Sequence, residues 1–225
     1  MNTRAWHWAA GALGACGVVL LALVETGWAP LQDADRALSH RLHRVAVEQS
    51  GFTRLNRILT DWVWDPVTTR LLALATVVTL YIRRARRLAM WAALTSVVGL
   101  AMQYAIRAAV ARDRPSHPDP VDSAHNFAFP SGHVMAATIT CGLLLVLLHA
   151  AGPAHRGWRT AAWAAALVSV IGVGFTRAFL GVHWPTDVLA GWLFGATAVA
   201  ACTAAFAPRA HRASEGTTGL RVTSP

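Results

Sequence analysis

The strongest constraint in this sequence is where carboxylates are missing: no Asp or Glu occurs between Asp65 and Asp113, or between Asp122 and Asp187. Both intervals contain apolar runs that approach the roughly 20 residues a helix needs to cross a bilayer. Of the 225 residues, 55% are hydrophobic and only 14% charged. That leaves too little polar surface to cover a soluble monomer.

Six segments read as membrane helices, at roughly residues 9–28, 66–82, 88–106, 134–151, 160–175 and 188–207. The predicted fold class is all-α: an integral membrane bundle of about six transmembrane helices, with a surface amphipathic region after the first. Arg70 falls in the first turns of the second segment and has to snorkel to the interface or find a partner. The first run follows Arg4 as a signal peptide would, but no convincing small-x-small cleavage site comes after it. Residues 1–207 are expected to form a single membrane-embedded domain. Residues 208–225, rich in Ser, Thr and Gly, are expected to form a disordered cytoplasmic tail. Cys16, Cys141 and Cys202 lie in separate apolar runs without disulfide or zinc spacing, and are expected to be small buried hydrophobes.

The net charge is +9, and every one of the 20 cations is Arg. Such an excess could suit nucleic acid. Most of these arginines, however, sit between the apolar runs, as topology determinants do, so no nucleic-acid partner is expected. Arg83, Arg84, Arg86 and Arg87 follow the second segment, Arg156 and Arg159 the fourth, and Arg209, Arg212 and Arg221 the sixth. Those loops share one side, which the positive-inside rule makes cytoplasmic in the plasma (cell inner) membrane. The connections after segments one, three and five then face outward. In the first of these, Leu38, Leu42 and Val45 recur at helical spacing. After Ser50-Gly51 the pattern resumes with Phe52, Leu55, Leu59 and Trp62. This pattern fits helices lying on the membrane or a small cap packed on the bundle.

Three polar clusters remain, and alternation of the segments puts all of them on the outer face. They are Arg107 with Arg114-Pro115, then Pro130-Ser131-Gly132-His133, then Thr176-Arg177 with His183 and Asp187. Convergence on one face is what an active site requires. Arg107 and Arg114 are seven apart, so on a continuing helix they share a stripe and form an oxyanion clamp; Pro115 places the second near the helix end. Ser131 reads as an N-cap, and the free amides after it, with Gly132 allowing close approach, suit a phosphate. Asp187, four residues after His183, can accept from one imidazole nitrogen and leave a lone pair on the other. A structural His-Asp pair is the plainer alternative; metal ligation is disfavoured because no carboxylate cluster accompanies the histidines.

Taken together, R-A-A-V-A-R-D-R-P, P-S-G-H and T-R-A-F-L-G-V-H-W-P-T-D resemble the three-part signature of the type 2 phosphatidic acid phosphatase superfamily, K-x6-R-P, P-S-G-H and S-R-x5-H-x3-D. The motifs run from Arg107 to Asp187, and the six-segment layout extends the resemblance over most of the chain. Arg107 stands where the family usually has Lys, and Thr176 where it usually has Ser. The resemblance implies a metal-independent membrane phosphatase, without cofactor, acting on a lipid phosphate or diphosphate such as undecaprenyl diphosphate or phosphatidate. It implies that His183 attacks phosphorus to give a phosphohistidine, supported by Asp187, and that His133 protonates the leaving oxygen. Arg107, Arg114 and Arg177 would bind the phosphoryl oxygens, helped by Ser131 and the Gly132 amide. A phosphotransferase using the same intermediate is the alternative. A multi-pass transporter is a weaker one, since its polar groups should lie near the midplane. Oligomeric state is left open.

Overall fold

A computed structural model describes residues 3–152 and 155–206, and among these residues every regular element is helical. In chain order they are α1 (Thr3–Glu25), α2 (Ala29–Glu48), α3 (Ser50–Ile58), α4 (Pro66–Ile82), α5 (Arg86–Val110), α6 (Gly132–Ala150), α7 (Arg156–Phe179) and α8 (Pro185–Phe206). A wider π-turn, Leu59–Val63, extends α3. Six helical stretches are long and apolar enough to span a membrane, the second of them running from Ser50 to Ile82. The chain is a multi-pass membrane protein.

Several helices begin or end away from the hydropathy boundaries. The first starts at Thr3 and stops at Glu25 rather than at 28, while α5 runs on to Val110 and α7 to Phe179. Hydropathy clips a helix at its first charges, whereas backbone hydrogen bonding carries it into the polar zone beyond. Asp65 caps α4 by accepting from the Val67 and Thr68 amides, with Pro66 in the first helical position. The expected tail, 208–225, lies outside the described residues.

The central helix is α8. Some 61% of its most apolar stretch is buried, against 11–39% for the other spans, and it packs on α1, α5 and α6. It meets α6 across Gly191 and Gly195. A Cβ on Gly191 would lie 2.9 Å from Val134 Cβ and 3.0 Å from the Ser131 carbonyl oxygen, and one on Gly195 would lie 2.9 Å from Thr138 Cβ. This small-xxx-small stripe lets the two backbones approach, as membrane helix pairs need in the absence of a hydrophobic drive. Consequently the starts of α6 and α8 lie side by side.

The amphipathic region packs with its polar stripe inward. Asp35, Ser39, His43 and Ala46 of α2, then Thr53, Asn56 and Thr60, are buried, whereas Leu38, Val45, Phe52, Leu55 and Trp62 are exposed. The region is therefore a cap on the bundle that turns its apolar residues outward. That pattern suits a lipid surround and not a water-facing helix. Cys16 is likewise exposed on α1, against the expectation of burial, while Cys202 is buried. Arg70 finds its partner in Gln103, donating to Oε1 at 3.3 Å.

Candidate active site

The ends of α5 and α7, the starts of α6 and α8, and the loop 111–131 meet at one end of the bundle, beneath α2 and α3. His183 lies in the turn between α7 and α8, 1% exposed. Its Nδ1 is 3.4 Å from Asp187 Oδ2, and its Nε2 is 3.1 Å from Arg114 Nη1. A guanidinium only donates, so Nε2 carries the lone pair and the ring proton sits on Nδ1, facing the carboxylate. The imidazole is held well below its ordinary value, first by burial and then by Arg177, Arg114 and Arg107, so it is neutral.

Asp187 is the third residue of α8, and its Oδ2 accepts from the Trp184 amide at 2.8 Å, as an acid at that position of a capping box does. Its Oδ1 accepts from Arg112 Nη1 at 2.7 Å. Its own carbonyl accepts from the Ser131 amide at 3.0 Å, which ties the P-S-G-H segment to the start of α8.

Three further arginines, besides Arg112, surround this pair. The helix expected to carry both Arg107 and Arg114 on one stripe stops at Val110, where Ala111 takes a left-handed φ of 46°. Arg114 therefore reaches the site from the loop, aimed by donation to the carbonyls of Asn126 (2.9 Å), Val182 (2.6 Å) and His125 (3.1 Å). Burial, then Arg177 and Arg107, push its value down to about 10, which leaves it charged at neutral pH. Arg107 donates to the Pro130 carbonyl at 3.1 Å, and its Nε is buried without a partner. Arg177, 4% exposed, lies 3.4 Å from Thr60 Oγ1 and 3.8 Å from Asp122 Oδ2, with Nε also unpartnered.

Ser131 occupies the N-cap position of α6 but makes no side-chain capping bond; its Oγ is buried without a partner. Gly132 lets two side-chain ends close on this turn: a Cβ here would lie 2.8 Å from Gln103 Nε2 and 3.0 Å from Arg107 Nη2, and both would have to move aside. His133, half-buried, stands in the same first turn. Thr176 spends its hydroxyl on the Val173 carbonyl of its own helix, so exchanging Ser for Thr leaves the site's polar groups unchanged. Buried donors and an unpaired hydroxyl around a neutral imidazole are suited to an oxyanion.

Sequence reasoning overlooked Arg112, Asp35, Thr60 and Asp122. One signal was available for Asp35: with Ser39 and His43 it forms a polar stripe at i, i+4, i+8 along α2. Arg112 offered only its place in R-D-R-P.

The model of the PAP2 superfamily matches residues 89–210. The chain is similar to an undecaprenyl-diphosphatase of Sulfolobus acidocaldarius, 27% identical over 150 residues that make up 63% of this chain and 62% of the relative. It is also similar to a decaprenylphosphoryl-5-phosphoribose phosphatase of Mycolicibacterium smegmatis, 34% identical over 89 residues, 38% of this chain and 42% of that one. The matches thus span less than two thirds of these relatives. Among solved structures, a transmembrane PAP2-type phosphatidylglycerolphosphate phosphatase of Bacillus subtilis superposes with a TM-score of 0.69 at 21% identity, over 87% of this chain and 94% of that one. At that identity the likeness speaks to fold.

Proposed function

The chain belongs to the PAP2 superfamily, and from that premise we propose that it is a membrane phosphatase hydrolysing a lipid phosphate or diphosphate, through a phosphohistidine, at the outer face of the cell membrane. The observation that carries this reading is His183, held between the Asp187 carboxylate on Nδ1 and the Arg114 guanidinium on Nε2. Nε2 attacks phosphorus as the bond from phosphorus to the lipid oxygen, or bridging oxygen, breaks. His133 gives that oxygen its proton. Arg114 turns from Nε2 to a phosphoryl oxygen, and Arg107 and Arg177, with the free Ser131 hydroxyl and the α6 amides, neutralise the others. Asp187 stabilises the imidazolium as charge develops. Water then cleaves the N–P bond to release phosphate, with His133 taking its proton. Residues 1–207 act as one domain in this scheme.

A lipid substrate is supported by an apolar groove of about 260 Å³ between α4, α5 and α6, lined by Leu74, Val77, Val97 and Ile139. Gln103, which lines its polar end, abuts Gly132, so a chain in the groove has its head group beside the arginines. Purified protein in detergent is expected to release phosphate from lipid phosphates or diphosphates in the presence of EDTA. Vanadate, which the same donors would hold, should inhibit. Strict dependence on an added divalent ion would rule out this mechanism.

The outward orientation rests on the arginine-rich loops at the opposite end. In a background without native cysteines, Ser116→Cys should be labelled by an impermeant maleimide on intact cells, and Arg84→Cys only after lysis. The reverse pattern would invert the topology.

A further inference from the structure

Arg112 lies outside the residues assigned to substrate, yet it makes charged contacts to two helices. Its Nη1 donates to Asp187 Oδ1 at 2.7 Å and to Thr186 Oγ1 at 2.7 Å, and its Nη2 donates to Asp35 Oδ2 at 2.8 Å. Both carboxylates are buried, Asp35 at 2% and Asp187 at 0% exposure, and one guanidinium serves both. Asp35 in turn accepts from the Thr186 amide at 3.0 Å and from the Thr186 hydroxyl. A carboxylate from α2 thereby caps the first turn of α8 from outside that helix. The Arg112 carbonyl accepts from the Ala128 amide at 2.8 Å, and its guanidinium lies 5.5 Å from the Trp184 ring centroid.

All the side-chain contacts among these surround residues 184–187, immediately after His183. The Asp187 carboxylate has two oxygens with different duties: Oδ1 faces Arg112 and Oδ2 faces the imidazole. Holding Oδ1 in a rigid, planar donor fixes the plane of the carboxylate, and so fixes where Oδ2 lies relative to Nδ1. Without that donor, the carboxylate keeps the Trp184 amide on Oδ2, but its buried charge loses its ion-pair partner beside the ring. We propose that Arg112 and Asp35 are positioning residues for the reaction, a link through which the outer helix α2 sets the Asp187 carboxylate and thereby the His183 ring. The proposal rests on the reading of His183 as nucleophile.

The test uses full-length Arg112→Gln, Arg112→Lys and Asp35→Asn, comparing only the protein that elutes as folded. Asp35→Asn keeps an acceptor for the Thr186 amide, so it retains the cap if Arg112→Gln fails to fold. Phosphoenzyme formation from an activated aryl phosphate is expected to slow about 10- to 100-fold in Arg112→Gln, the range for losing an outer partner that orients a histidine. KM should stay within about twofold, since no substrate contact is lost. Arg112→Lys should recover part of the rate, and Asp35→Asn should lose rate in the same direction.

The acid limb of kcat/KM should also move to higher pH in Arg112→Gln. Asp187, no longer shared with a guanidinium, then favours protonation of His183, which faces Arg107, Arg114 and Arg177 as its remaining charged neighbours. A purely structural role would lower the folded fraction without moving that limb. Wild-type rates in both Arg112→Gln and Asp35→Asn, or an effect confined to KM, would overturn the proposal. Mapping the phosphoryl group in the wild-type protein separates this from its premise: a label elsewhere than His183 refutes the nucleophile, whatever the Arg112 variants do.

Discussion

Replacing His183 with alanine is expected to remove turnover by about 10⁴- to 10⁶-fold, the range seen when a nucleophile that acts as one unit with its partners is lost. Phosphoenzyme should vanish with it, because among the described residues no other side chain both touches the Asp187 carboxylate and presents a lone pair toward Arg114. His133→Ala should behave differently. Loss of a general acid costs about 10² to 10⁴ in rate, and costs least when the departing group is already a good one, such as a nitrophenolate. That variant should therefore still form phosphoenzyme from an aryl phosphate while failing on the lipid. Rapid-quench trapping on both substrates checks the pair. Equal losses of both histidine variants on both substrates would refute the separate roles.

Arg114→Ala is expected to reduce kcat/KM by about 10²- to 10³-fold, as removal of one preorganised donor to a developing oxyanion does. Arg114→Lys should recover little of this, because a point charge cannot reproduce a fork that reaches His183 and the carbonyls of Val182, His125, Asn126 and Phe127 at once. The pH profile carries the sign. His183 is held below 6.5 by burial and by Arg177, Arg114 and Arg107, and the neutral ring is the attacking form. Taking away the Arg114 cation lets that value rise, so the acid limb should move to higher pH. An acid limb that stays in place while the rate falls would mean that Arg114 does not face the nucleophile.

Much of this protein follows from its sequence. The membrane spans do, because lipid leaves backbone groups no partner but their own helix, and that makes long carboxylate-free apolar runs readable one segment at a time. With six such runs the connections alternate between two sides. The Arg107, Ser131 and His183 neighbourhoods therefore had to share an end, whatever the packing. The spacing of His183 and Asp187 across the start of a helix was equally local.

Other features were decided only by the tertiary structure. Hydrophobic periodicity shows which residues of α2 share a face, but in a membrane protein apolar and polar faces can each turn either way. Packing on α7 and α8 put Asp35, Ser39 and His43 inside and left Leu38 and Val45 outside. Helix α5 ends early, at Val110, and Arg114 reaches the site along a loop, aimed by carbonyls as distant in sequence as Val182. Ser131 left uncapped and Arg112 shared between Asp35 and Asp187 are likewise products of contact. A charge can be seen in a sequence, but its partner across 75 or more residues is set by which helices pack together, and that depends on the shapes of side chains such as the Gly191–Gly195 stripe.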